Sequence, residues 1–245
     1  MKTNRLLYLL KGELLRLHKY KVTTISILIA IIWSVVLYFI EGEIFNNLLP
    51  TLIMVDATMM SMIYIGSVMF FEKKESTMSS LLVTPSKNSE LILSKLLANT
   101  IHNFFSSALI IVAFVILKDV KVSYLLVGLA IIVATMYHTT IGLFLSYYQK
   151  DFTTMLMTIM AISMFLLIPT VLYMLKVFEG DVWKYIFLIN PLYSASIIIS
   201  DSFKPIALTW EYYFSLAYLV ITFVVIYKYL VLRKFKDYAV SISGV

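Results

Sequence analysis

Six separated stretches of this chain are apolar and long enough to cross a lipid bilayer: residues 22–40, 51–71, 100–117, 122–148, 152–175 and 213–232. A helix needs about 20 mostly apolar residues to span the hydrocarbon core. Inside that core every backbone N–H and C=O must find a partner within the protein, so spans of this length fold as α-helices. At 61% hydrophobic and 14% charged, the 245 residues lie outside soluble composition, where about 25% are charged. Length that would otherwise build one or two soluble domains is consumed by spans and their connections.

Several chemistries are excluded at once. There is no cysteine, so disulfides and thiolate catalysis are absent. The seven glycines form no GxxxxGK, so the chain has no phosphate-cradling loop with which to hydrolyse ATP. Neither GxSxG nor HExxH occurs, which speaks against a membrane protease. The formal charge of +6 raises nucleic acid as a partner, but the basic clusters stand beside spans, where lipid headgroups account for them. No nucleic-acid partner is expected. The basic start and the long apolar run after it do not fit a cleavable signal peptide.

Orientation follows from Lys and Arg. With the amino terminus inside, fifteen of the twenty basic residues fall on the cytoplasmic side, which satisfies the positive-inside rule and places both termini in the cytoplasm. The first 21 residues form an amphipathic interfacial helix, with Leu6, Leu10, Leu14 and Leu17 at helical spacing and Arg5, Gly12, Arg16 and Lys19 on another face. Two readings fit it: an anchor on anionic lipid, or an interface helix that also rests on a cytoplasmic partner.

Between the second and third spans, residues 72–99 are far longer than a membrane hairpin needs. Charges crowd its start (Glu72, Lys73, Lys74, Glu75), a short apolar turn follows (Met78, Leu81, Leu82, Val83), and Thr84-Pro85 breaks the helix. Ser86 or Ser89 then caps a second helix with Glu90 near its positive end. The segment reads either as a solvated loop stiffened by Glu–Lys pairs or as a docking element. A second long connection, residues 176–212, holds two apolar half-length helices broken at Asn190-Pro191. It either enters the membrane and turns back, packed against protein, or forms an extracellular flap with an aromatic belt.

Few side chains suggest chemistry. Asp56 is the only acid inside a span, and its place near the outer end favours a structural or cavity-lining role. His102 and His138 lack neighbours at metal-ligand spacing, so no metal site is expected. Methionines concentrate in the second and fifth spans, among them Met59, Met60, Met157, Met160 and Met164. Flexible thioethers suit surfaces that accept variable apolar shapes, and they also fill cores.

The run from Glu72 to Lys95 resembles the corresponding region of type-2 ATP-binding-cassette export permeases, with an acidic pair, a Leu-Leu-Val-Thr-Pro turn and a Glu-Leu-Ile-Leu-x-Lys-Leu-Leu run before the third span. In that family it is a coupling helix seated in a cleft of a separate ATPase. The resemblance implies an ATPase contact at Glu72, Glu75, Thr77, Leu81, Leu82, Thr84 and Pro85. Lys150, with Gln149 and Asp151, is a shorter second candidate contact. This chain has Ser76-Thr77 where family members often have a glycine before the threonine. A second match is a Pro-Leu-Tyr motif in a re-entrant region, here Pro191, Leu192 and Tyr193 after Asn190.

The expected fold is an all-α integral membrane protein: one transmembrane permease domain over residues 1–245, with six transmembrane helices, an interfacial helix at 1–21, a coupling segment at 72–99 and an extracellular or re-entrant segment at 176–212. The resemblance implies half of an ATP-driven exporter in the plasma membrane of a bacterium. Its cargo is hydrophobic or amphipathic (a drug, peptide or lipid), with Asp56, Met59, Met60, Met157, Met160 and Met164 on the path. Partners are a cytoplasmic ATPase, a second permease copy and membrane lipids. No cofactor is expected in this chain; ATP and Mg²⁺ belong to the partner ATPase. Two other classes remain open: a stand-alone secondary transporter or channel, and a non-transporting membrane sensor or immunity protein.

Overall fold

The computed structural model describes residues 2–40, 42–82, 84–118, 122–178, 180–204 and 208–243, and among them there is no strand. Val83, named in the apolar turn above, lies outside the described residues. The helices are α1 (Lys2–Lys19), α2 (Val22–Tyr38), α3 (Gly42–Val55), α4 (Ser61–Lys74), α5 (Thr77–Leu82), α6 (Asn88–Lys118), α7 (Tyr124–Ser146), α8 (Phe152–Met174), α9 (Asp181–Leu188), α10 (Pro191–Phe203), α11 (Trp210–Val225) and α12 (Leu232–Ser243). Wide π turns at Asp56–Met60 and Ile226–Val231 join α3 to α4 and α11 to α12 into continuous rods.

Five helical units are long and apolar enough to cross a membrane: Leu48–Lys74, Asn88–Ile116, Tyr124–Ser146, Phe152–Met174 and Trp210–Ala239. The uncharged helix α2 is the sixth, turned 63° from α1 at a left-handed Lys21. Six spans agree with the sequence count, although several boundaries move. The second span begins upstream of Pro50, which sits inside α3 rather than in its first turn. The third extends back to Asn88 in one 31-residue helix. It starts after Lys87, whose amide donates to Glu90 Oε2 at 2.9 Å, so Ser86 and Ser89 are not its cap. The last continues past the membrane into the basic helix α12. Helix α8 runs through Pro169 unbroken.

The main core gathers Leu49, Ile53, Ile111, Phe114, Ala130, Ala134, Leu192, Ile198 and Leu219 from α3, α6, α7, α10 and α11. Helices α4 and α7 pack closely at Gly142. A Cβ at Gly142 would lie 2.8 Å from the Met62 Cα, so only glycine permits that approach. Helix α6 presents an inward polar row at four-residue spacing (Lys95, Asn99, Asn103 and Ser107), each at most 1% exposed. Asn99 Nδ2 donates to the Ser61 carbonyl at 3.0 Å and the Thr139 hydroxyl at 2.8 Å. Ser107 donates to Asp56 Oδ2 at 2.6 Å. At the π turn, the Met54 and Thr58 carbonyls accept from the Thr58 and Ser61 hydroxyls, each at 2.7 Å, so the widened backbone is satisfied where water is absent.

Helices α9 and α10 meet at 97°. Their 8 and 13 residues make rods of about 12 and 20 Å, each shorter than the bilayer core. Leu192, Ala195, Ile198 and Ile199 pack into the main core with residues of α3, α7 and α11. The two arms form a helical pair bent sharply at Asn190-Pro191, neither arm long enough to cross by itself.

Candidate functional site

Where the chain turns between α4 and α6, the charged end of the bundle is organised around three buried ions, Glu13, Glu72 and Lys95, with the half-buried Arg16 beside them. Lys95 Nζ lies 2.5 and 2.6 Å from the two oxygens of Glu72 and 2.9 Å from Glu13 Oε1. Arg16 Nη1 reaches the same Glu13 oxygen at 2.5 Å and Glu72 Oε1 at 3.3 Å. Two carboxylates thus face two cations, and Glu13, Glu72 and Lys95 are each no more than 2% exposed. The balance is what makes burial tolerable, since a lone ion in this position would carry its full desolvation cost.

Three distant parts of the sequence meet here: α1, the end of α4 and the second turn of α6. Leu10, Leu14 and Leu17 of α1 add an apolar seam against Tyr64, Val68 and Ala98. The leucine face expected to lie on lipid therefore packs largely on the protein's own helices, while Leu7, Tyr8 and Leu15 remain exposed on another side.

Helix α1 also grips both ends of the connection it covers. Lys19 Nζ and the Tyr20 hydroxyl donate to Glu75 Oε2 at 2.6 and 3.0 Å. The Lys19 bond holds the Glu75 carboxyl below its ordinary range. At the other end, Arg5 Nη1 donates to the Pro85 carbonyl at 2.8 Å and lies 3.7 Å from Glu90. Arg5 and Lys19 are about 21 Å apart along a helix, so α1 splints the connection from its first turn to its last.

The residues singled out from sequence separate accordingly. Glu75, Thr84 and Pro85 are exposed, and Thr77 and Leu81 are half-buried. Leu82 turns inward against the cluster containing Ile92, Leu96, Phe235 and Tyr238. Glu72 is the correction: it is wholly buried, so it does not reach a surface that a partner touches, and its task is to hold Lys95. Lys150 is exposed in the turn before α8. Its neighbours Gln149 and Asp151 line a small crevice with Lys73, which sets this turn beside the end of α4. Asp151 has a local duty as well, capping α8 through Oδ1 to the Thr154 amide at 2.8 Å.

Ser76 carries φ +55°, the left-handed conformation that glycine adopts without strain. The serine thus stands where the backbone asks for glycine. Ser76→Gly is expected to stabilise the protein by about 0.5–1 kcal/mol. It removes a left-handed penalty of about 1–2 kcal/mol and adds unfolded-state freedom of about 0.5–1 kcal/mol. Thermal unfolding in detergent measures it.

Phe235 and Tyr238 of α12 were not visible as functional from sequence. They close the back of α5, with Tyr238 stacked on Tyr147 at 4.7 Å.

The membrane residues do not converge on one lining within this chain. Asp56 is 5% exposed, its carboxylate taken up by Ser107 and, at 3.4 Å, Ser106. Met59 packs on the main core and Met60 on the seam beneath α1. Met157, Met160 and Met164 stand exposed on α8. At the elbow between α9 and α10, Asn190 Nδ2 donates to the Leu166 carbonyl at 2.9 Å and the Thr170 hydroxyl at 3.1 Å, while its Oδ1 accepts the Leu192 amide at 3.0 Å. Pro191 occupies the first turn of α10, where no amide is missed. Leu192 is core, and Tyr193 packs edge-on to Tyr173 at 5.2 Å.

One family model, the ABC-2 type transporter, matches residues 4–203, a region that holds five of the six spans, the splinted elbow at α5 and the bent pair α9–α10. The chain belongs to the ABC-2 type transporter family. No curated protein matches it. As an ABC-2 membrane protein it is a multi-pass transport subunit, and the matched region contains both α5 with its splint and the whole α9–α10 pair.

Proposed function

We propose that this chain is the membrane half of an ATP-driven exporter, energised through residues 75–87 by a separate cytoplasmic ATPase. The observation that carries this reading is the exposed α5 elbow held rigidly on a buried ion cluster. A rigid lever transmits displacement, whereas a solvated loop absorbs it. Glu75, Thr77, Leu81, Thr84 and Pro85 form the contact, Lys150 adds to it from the next turn, and ATP with Mg²⁺ resides in the partner. A second permease copy completes the path in a bacterial plasma membrane. The exposed Met157, Met160 and Met164 favour a hydrophobic or amphipathic cargo such as a drug, peptide or lipid, and Asp56 with Met59 and Met60 shapes the wall behind them. ATP drives the cycle by binding one arrangement of the complex more tightly than the other.

The test is purification of the tagged chain from native membranes in mild detergent, followed by reconstitution. The expected result is a stoichiometric soluble ATPase and ATP-dependent efflux of a lipophilic dye. Efflux by the isolated chain in sealed vesicles, with no ATPase present, overturns the reading.

A further inference from the structure

At the end of the bundle opposite the ion cluster, α8, the loop after it and α10 enclose a cleft of ≈ 610 Å³. Helix α10 is two-sided. Leu192, Ala195, Ile198 and Ile199 enter the core, while Tyr193, Ser196, Ser200 and Asp201 line the cleft. Rings form the opposite wall, where Tyr173 stacks on Phe187 at 4.6 Å and Phe178 lies 5.6 Å from the same ring. This wall is fixed by packing before any ligand arrives.

Among the described residues, two charges line the cleft without an ion-pair partner. The Asp201 carboxylate accepts only a 3.4 Å contact from the Thr209 hydroxyl, and among the described residues no cation lies within 4 Å of it. Lys204 and Glu211 act on Asp201 at longer range, and Glu211 is already paired with Lys184. Lys176 likewise makes no ion pair among the described residues, and its left-handed backbone (φ +56°) caps the end of α8. A carboxylate beside aromatic faces suits an ammonium group, and the negative end of α8 adds to that preference. A lysine at the rim suits a phosphate. Beside the cleft, Met174, Leu175 and Val177 are exposed and apolar, and Trp183, Tyr185 and Trp210 mark the level of the membrane interface.

We propose that this cleft binds a zwitterionic phosphate–ammonium headgroup, and that its source is a phospholipid of the adjacent leaflet. The ammonium sits between Asp201 and the tyrosine rings, the phosphate meets Lys176, and the acyl chains follow Leu175 and Val177. This site stands independently of the ATPase partner.

Native mass spectrometry of the full chain, titrated with phosphatidylcholine and phosphatidylglycerol, tests it. Phosphatidylcholine is expected to bind about tenfold more tightly, a difference of about 1.4 kcal/mol. Asp201→Asn should abolish that preference, and the exposed Lys176→Ala, which does not threaten folding, should weaken both lipids. Soluble phosphocholine in excess separates the sources: failure to displace the lipid supports the membrane source, and full displacement at equal affinity overturns it in favour of a free zwitterion. Equal binding of the two lipids, or an Asp201→Asn protein with the wild-type preference, overturns the site itself.

Discussion

Replacing Lys95 with methionine is expected to cost about 3–5 kcal/mol, because it leaves a buried carboxylate without its cation. In the native protein one ammonium serves both Glu72 and Glu13, at 2.5–2.9 Å, with 1% of Lys95 exposed. After its loss Arg16 alone faces two carboxylates, and it lies 3.3 Å from Glu72. The paired change Lys95→Met with Glu72→Gln restores the balance of one carboxylate and one cation, so it should recover much of the loss. Thermal unfolding in detergent of the wild type, both single variants and the pair supplies the cycle. A Lys95→Met protein as stable as wild type would mean that the cluster is not closed to water. Lys19→Met is the contrast, since its pair with Glu75 is 61% and 39% exposed and such pairs contribute about 0–1 kcal/mol.

How much of this was legible depended on how local the cause was. Six spans follow from runs of apolar residues, each satisfying its own backbone, and the run from Glu72 to Pro85 carries its own start and stop. The elbow at Asn190-Pro191 was readable because its cap and its proline act locally, whereas the bonds from Asn190 to Leu166 and Thr170 of α8 were not. The ion cluster was not readable in that way. Glu13 and Lys95 are 82 residues apart, and nothing in an amphipathic helix distinguishes a glutamate facing water from one facing a lysine of another helix. Glu72 and Glu75 look alike in sequence, yet the first lies within the last turn of α4 and is buried, while the second lies past the end of that helix and is partly exposed. The row Lys95, Asn99, Asn103 and Ser107 did carry a signal, its strict four-residue spacing, which marks one buried polar face. The π turn at Asp56–Met60 carries no proline or glycine to announce it; it is recovered only from the hydroxyls and the Asn99 amide that satisfy its surroundings.

The separation of Glu72 from Glu75 decides how coupling is to be probed. Charge reversal at Glu72 would disrupt the cluster and remove folded protein, so lost transport in that variant says nothing about docking. Glu75→Lys combined with Leu81→Asp acts on the exposed elbow instead. Glu75 forfeits an exposed pair with Lys19 and an exposed hydrogen bond from Tyr20, and Leu81, unlike Leu82, is not packed into the cluster beneath α5. Membrane insertion should be kept, and thermal stability should stay within about 2 kcal/mol of wild type, since Leu81 is half-buried and the Glu75 contacts are exposed. If the elbow is where an ATPase pushes, ATP-driven efflux of a lipophilic dye should fall about tenfold or more, and the co-purified ATPase should be lost in proportion. Loss of efflux with the ATPase still bound would place the defect in transmission through the splint, and Arg5→Ala, which frees the Pro85 turn from α1, should then reproduce it. Unchanged efflux and unchanged ATPase recovery in the double variant would remove the elbow from the coupling path, because no other consequence of these two substitutions is large enough to hide an effect.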